Sequence, residues 1–316
     1  MTIGAALLAY AACVGTLSSG MLGRARWISR APLLAIFTYL AAAWSVLAAL
    51  ALSGLTLAIH ATALGGGLSQ LIGACVIRLR DMYATPGGAV VAGFGLTLTG
   101  AVLARTLFIT VTYGRAVRQQ ARRHAETARM VGCPDQALGA TLVEHPQPAA
   151  YCVAGPRPTV VLTTGAVNAL DPAQLDAVLA HERAHLAFRH HLLVALARAA
   201  REVLPFVPLM RDAEAQVTRL VEMHADDTAR RSSDPGRLAA ALVILATSAA
   251  PAPGLAAAAI DAVARVHRLL GPAEQPLGPV RRHLLRASVA ALALTPVVLA
   301  LAPAAVALIL GRVPGA

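Results

Sequence analysis

The chain of 316 residues contains no lysine. All 27 of its basic residues are arginine, so the formal charge of +11 rests on guanidinium groups that stay protonated at physiological pH. Aromatic residues are scarce, at 4%. Without a stacking set of aromatics or a basic recognition helix, the charge does not read as nucleic-acid binding, and no direct nucleic-acid partner is expected. Cysteine is sparse too. Cys13, Cys75, Cys133 and Cys152 are scattered without a Cys-x-x-Cys pair, so they are expected to be core thiols rather than metal ligands or a redox pair. Repeats and low-complexity tails are also missing, which excludes solenoid and linker architectures.

What is abundant is apolar sequence. Hydrophobic residues make up 57% of the chain, charged residues 14%, and the mean hydropathy is +0.64. The excess falls in four runs long enough to cross a bilayer, at about residues 3–22, 33–59, 89–111 and 285–310. The third run contains Arg105 and the fourth begins with Arg286, where snorkelling relieves the charge. The first run lacks a basic leading segment and is followed at once by a second span, so a cleaved signal peptide is not expected.

Arginine also sets the expected orientation. Arg24, Arg26 and Arg30 follow the first run; Arg115, Arg118, Arg122, Arg123 and Arg129 follow the third; Arg281, Arg282 and Arg286 precede the fourth. The positive-inside rule places all three groups in the cytosol. The N-terminus, a loop at about residues 60–88 and a short tail are then outside, and residues 113–283 face the cytosol. Attraction of arginines beside spans to anionic lipid headgroups explains their clustering, so the bilayer itself is an expected partner.

Within residues 113–283 a chemical motif stands out. Residues 181–185 read His-Glu-Arg-Ala-His. On a helix, positions i and i+4 share a face, so His181 and His185 aim at one metal ion while Glu182 sits on the edge of that face, where a general base reaches a water without ligating the metal. Catalytic zinc keeps three protein ligands and an open place, and Glu222 is the candidate third. Asp226, one turn later, is placed to accept the spare ring N–H of a ligand histidine. A shuffle of this composition yields the five-residue motif about 0.007 times, so accident is a poor account.

The context is helical. Asp171-Pro172-Ala173-Gln174 is a helix start with an N-cap, an N1 proline and a capping-box glutamine, and Leu175, Val178, Leu179, Glu182 and Leu186 then recur at helical spacing. This predicts one long helix running on through His190 and His191, whose side chains point away from the metal face as solvated or hydrogen-bonded residues. His224 is expected to face away from Glu222. Upstream, residues 140–144, 150–154 and 159–162 read as short strands, and residues 150–154 are the candidate substrate-binding edge strand through Tyr151, Cys152 and Val153. Residues 238–250 are too short to span and read as a core helix. Expected domains are therefore a three-span membrane region at 1–112, a metallopeptidase domain at 113–283, and a fourth span with a short tail at 284–316.

The fold class implied is an integral membrane α-helical protein with four transmembrane helices and a cytosolic α+β zincin-like metallopeptidase domain between the third and fourth spans. Residues 151–155, 159–163 and 175–185, then Glu222 with Ala225 and Asp226, resemble the BlaR/MecR-type membrane zinc metallopeptidases, a gluzincin family related to the HtpX-type peptidases. The resemblance implies zinc ligation by His181, His185 and Glu222, a general base in Glu182, and support from Asp226. Relatives of the HtpX type place membrane spans between the histidine pair and the glutamate; the 36 residues separating His185 from Glu222 are too few for two spans. Only residues 311–316 follow the last span, so the penicillin-binding sensor domain of such receptors is not expected.

By resemblance, the chain is expected to be a zinc metalloendopeptidase of the inner or plasma membrane acting in signal transduction, in the manner of an antibiotic response. Its partner would be a cytosolic protein such as a BlaI/MecI-type transcriptional repressor. The alternatives are an HtpX-like quality-control protease and a non-catalytic zinc-stabilised membrane receptor or scaffold. Homodimer formation and autocleavage are compatible with the sequence.

Overall fold

A computed structural model of the chain describes residues 2–58, 88–155, 157–248, 255–272, 275 and 277–309. The expected outside loop of residues 60–88 falls almost wholly outside these, as do Cys75 and the tail after residue 309. Helices α1 (Thr2–Gly23), α2 (Trp27–Arg30), α3 (Pro32–Ala58) and α4 (Gly88–Val131) come first. Four short strands follow: β1 (Gly132–Asp135), β2 (Ala140–Val143), β3 (Ala150–Val153) and β4 (Thr159–Thr163). The remainder is helical: α5 (Thr164–Ala169), α6 (Pro172–Ala187), α7 (His190–Val203), α8 (Pro208–Ala229), α9 (Pro235–Ser248), α10 (Leu255–Leu270) and α11 (Pro279–Ile309).

Four of the described helices are long and apolar enough to cross a membrane: Ile3–Gly23, Pro32–Leu57, Val90–Val131 and Pro279–Ala302. The chain therefore has the make-up of a multi-pass membrane protein. The α3 segment is 56% buried, against 11 to 17% for the others, so α3 is the hub and the other three ring it. Their outward faces carry Leu17, Phe94, Leu107, Phe108 and Val298, all exposed, as lipid contact requires. Gly54 lets α3 meet α4 closely: a Cβ there would lie 2.4 Å from the Gly95 carbonyl oxygen.

The third apolar run and the basic stretch after it form one continuous helix to Val131, a rod leaving the apolar zone. Arg105 does more than snorkel. Its guanidinium donates to the carbonyls of Val203 and Glu202 at 2.8 Å, satisfying orphan acceptors at the C-terminal end of α7. A helical hairpin, α7 and α8, thus packs against the spans, and Val203, Leu209, Val217 and Leu220 share one core with Leu7, Ile36 and Tyr39.

The strands form one sheet in the order β1-β2-β4-β3, with β2 and β4 parallel and the outer pairs antiparallel. β3 is an edge strand. β1 was not evident from sequence because Gly132 and Pro134 disfavour strands; proline is tolerated here because β1 is the opposite edge. Cys13 and Cys133 are exposed rather than core thiols, and Cys152 is half-buried; none of these three forms a disulfide.

Candidate active site

The metal-motif helix α6 begins where the sequence reading puts it. Asp171 Oδ1 accepts from the Gln174 backbone N–H at 2.8 Å, and Gln174 Oε1 accepts from the Asp171 N–H at 3.0 Å, closing the capping box. Leu175, Val178 and Leu179 then bury against Val160 and Leu162 of β4, which fixes the rotation of α6 and turns His181, Glu182 and His185 toward one cleft.

The expected single long helix does not occur. α6 ends at Ala187, and Arg189 takes a left-handed conformation (φ +50°) before α7 starts at His190. No glycine or proline marks the break. Its effect is to swing His190 back toward the motif, so His190 is buried and its Nδ1 lies 3.0 Å from His185 Nδ1. The hydrogen-bonded reading of His190 holds, and the solvated one fails; His191 is exposed. His190 Nε2 in turn lies 3.0 Å from His224 Nδ1, and His224 does face away from Glu222.

Three ligand groups now meet. His181 Nε2 and His185 Nε2 are 3.1 Å apart, and each is 3.5 Å from an oxygen of Glu222. Among the described residues these three are the group whose ligand atoms lie close enough, within 4.8 Å of one another, to hold a metal ion. The spacing fits zinc. Ligand atoms about 2.0–2.1 Å from a tetrahedral ion sit about 3.3 Å from each other, close to the separations found. Both histidines also present the right nitrogen. His185 has Nδ1 occupied by His190, and His181 Nδ1 lies 3.0 Å from Asp226 Oδ1, a bent contact that leaves this ring N–H short of an ideal bond.

Electrostatics prepare the same place for a cation. Burial would raise the pKa of Glu222, but His181, Arg265 and His185 outweigh it and hold the carboxyl down to about 2. Burial likewise acts on Asp226, and the hydrogen bonds from Arg265 and His181 hold it to about 2. For His181 burial favours the neutral ring, but Asp226 and Glu222 lift its pKa to about 9. His185 is pushed down to about 4, first by burial. Two fixed carboxylates thus face one exchangeable proton, which a divalent ion would replace.

Glu182 behaves differently. Burial, reinforced by Glu222, pushes its carboxyl up to about 7, against the opposing charges of His181 and Arg265 and a hydrogen bond from the Cys152 backbone N–H. That last contact joins α6 to the edge strand. Ala150, Tyr151 and Cys152 line the cleft of about 420 Å3 together with the two histidines, both glutamates and the leucines of α9. Val153 does not reach it; its side chain is buried with Ala125, Ala128 and Val161. The Cys152 thiol is pushed up to about 12 by burial and by Glu182, so it stays protonated and is no nucleophile.

One cleft residue escaped the sequence reading. Arg265 of α10 grips Asp226 through Nε at 2.9 Å and a terminal nitrogen at 2.7 Å, reaches Glu222 at 3.0 Å, and approaches His181 Nε2 at 3.3 Å. It lies 39 residues beyond Asp226 in an alanine-rich stretch. The signal available was an arginine pair, Arg265 and Arg268, one turn apart on a helix whose other polar residues are Asp261 and His267; Arg268 pairs with Asp227 at 2.8 Å.

The model of Peptidase family M48 matches residues 114–221 of the chain, a stretch that runs from within α4 to the residue before Glu222. No curated protein and no solved structure matches it. With the four apolar helices, the match supports a membrane metallopeptidase.

Proposed function

We propose that the chain is a membrane-anchored zinc metalloendopeptidase that cuts peptide bonds of cytosolic proteins, or of cytosolic segments of membrane proteins. The observation that carries this reading is the meeting of His181, His185 and Glu222 at zinc-ligand spacing beside Glu182 and an edge strand. A zinc ion held by those three residues supplies Lewis acidity toward the scissile carbonyl and lowers the pKa of a bound water.

The chain's own residues do the rest. The exposed edge of β3 at Ala150 to Cys152 pairs with the substrate backbone as an added strand and lays the scissile bond across α6. Glu182, poised near neutrality, takes a proton from the attacking water and passes it to the leaving amine. Asp226 and His190 hold the ligand imidazoles in one tautomer and orientation. Arg265, the cation lining the cleft, fixes both downstream carboxylates and brings positive charge near the developing oxyanion.

The signalling role follows from the resemblance to BlaR/MecR-type peptidases. On that reading the catalytic part faces the cytosol, the N-terminus is outside, and the substrate is a BlaI/MecI-type repressor. A second reading, a quality-control protease, draws support from Leu238, Leu242 and Leu245 on the cleft wall, which suit apolar segments of unfolded proteins. Terminal mass spectrometry on cells carrying wild type or Glu182→Gln separates them. A few defined cleavages lost in the variant support signalling; many scattered sites lost in apolar segments support quality control; identical termini would sink the peptidase reading.

A further inference from the structure

The metal cleft does not end at the candidate ligands. Cys152 of β3 donates its backbone N–H to Glu182 of α6. Ala154 stands two residues farther along the strand, about 7 Å on, and Leu186 one turn farther along the helix, about 6 Å on. Both line a further cavity of about 460 Å3, together with Gly155. The strand and the motif helix thus run side by side, and a chain laid along the edge of β3 passes from the metal site into this cavity.

We propose that this cavity is a subsite for an acidic side chain of the substrate, Asp or Glu about two to three residues from the scissile bond. The inference rests on the peptidase reading above and adds a sequence preference to it. Three guanidinium groups line the cavity: Arg118 and Arg122, one turn apart on α4, and Arg189 at the left-handed break between α6 and α7. Among the described residues none of the three has a carboxylate partner or a side-chain hydrogen bond, and no carboxylate lines the cavity. Glu126, the acidic residue nearest to Arg122 in sequence, is exposed on α4 outside it. His191, which also lines it, has its pKa lowered by burial and by Arg189, so it stays neutral and offers no counter-charge. Like charges converging from two elements repel, and a carboxylate set among them replaces that repulsion with charge-assisted hydrogen bonds. The metal cleft carries Glu182 and Glu222 while this end carries arginines, so the charge pattern of a substrate also fixes its register along β3.

The test uses the full zinc-loaded chain purified in detergent and a random mixture of unstructured decapeptides, with cut sites mapped by mass spectrometry. Wild-type sites should carry Asp or Glu about two to three residues to one side of the scissile bond. For one such peptide, Arg118→Gln with Arg122→Gln should raise KM about tenfold, at about threefold for each guanidinium. Arg118→Glu with Arg122→Glu should turn the preference to Lys or Arg at the same position, which a loss of structure would not do. Arg115→Gln with Arg123→Gln, exposed arginines of α4 outside the cavity, should keep the acidic preference. Cleavage by wild type without that preference, or the same preference in the charge-reversed chain, overturns the subsite and leaves the peptidase reading standing. An unaltered preference together with weaker binding of phosphatidylglycerol vesicles by the charge-reversed chain would assign the arginines to the membrane surface instead. If wild type cuts nothing, the peptidase reading fails by itself, and fluorescence anisotropy with acid-bearing and acid-free decapeptide pools decides the subsite: equal affinity overturns it, and tighter binding of the acid-bearing pool that is lost on charge reversal upholds it.

Discussion

Glu182 and Glu222 stand 40 residues apart and end in one cleft with opposite electrostatics. Burial lifts Glu182 to about 7, whereas histidines and Arg265 overcome burial at Glu222 and hold it to about 2. Environments that push paired carboxylates apart assign their roles, here proton carrier and ligand. The supporting residues should matter nearly as much. Asp226→Ala frees the His181 ring and leaves Arg265 with Glu222 alone, and zinc affinity measured against a competing chelator should fall about 10- to 100-fold; an unchanged affinity would show that Asp226 does not orient the ligand.

His190 carries a pH prediction. Burial, then the neighbouring His185 and His224, push its pKa down to about 3, against about 6.5 for an unfolded histidine. Below pH 6.5 the unfolded chain binds a proton that the folded one refuses, so this contribution to stability is lost as pH falls from about 6.5 toward 3. The metal-free chain should melt at a lower temperature at pH 5 than at pH 7, and His190→Gln should flatten that difference; equal slopes would contradict the assignment. At this scale the pairs His181 with His185 and Glu222 with Asp226 were legible because the members of each pair stand one turn apart on a single helix. Arg265 and the His190 contact were not, because the first depends on how a distant helix packs and the second on the break at Arg189.

At the scale of elements, local chemistry was readable where side chains cap or punctuate the backbone. The capping box at Asp171 starts α6, and Asp234 starts α9 by accepting from the Gly236 and Arg237 N–H groups at 2.7 and 3.1 Å. Asp171→Ala removes the cap and also the partner of Arg237, and should cost about 1 kcal/mol in unfolding free energy while zinc still binds. Thermal unfolding checks it, and an unchanged midpoint would mean that packing alone holds α6. The break at Arg189 was invisible because arginine has no bias toward a left-handed turn, and such a conformation persists only where packing over-determines it. β1 was hidden by its own glycine and proline. The edge position of β3 was correctly anticipated from its place before the metal helix, but Val153 is buried against Ala125 and Ala128 of α4 instead of lining the cleft.

For the whole molecule, composition sufficed to find four apolar helices, since nothing but a bilayer calls for such long runs of uncharged residues. The α7–α8 hairpin against those helices was not foreseeable. Glu214 takes Arg198 at 3.0 Å as well as Arg201, and Arg105 caps the end of α7. Orientation rests on arginine placement and is open to a direct check. In a chain without its four native cysteines, Ser232→Cys in the exposed turn after α8 should react with a membrane-impermeant maleimide only after intact cells are permeabilised; labelling of intact cells would reverse the topology.

The central claim is that His181, His185 and Glu222 hold one zinc ion for Glu182 to use. The most direct test measures zinc content and hydrolysis of an unfolded protein substrate side by side, in the purified wild-type chain and in Glu182→Gln. The account predicts about one zinc per chain in both and hydrolysis in the wild type alone. Equal hydrolysis in the two, or a wild-type chain that binds zinc without cutting, would contradict it and leave the metal with a structural role.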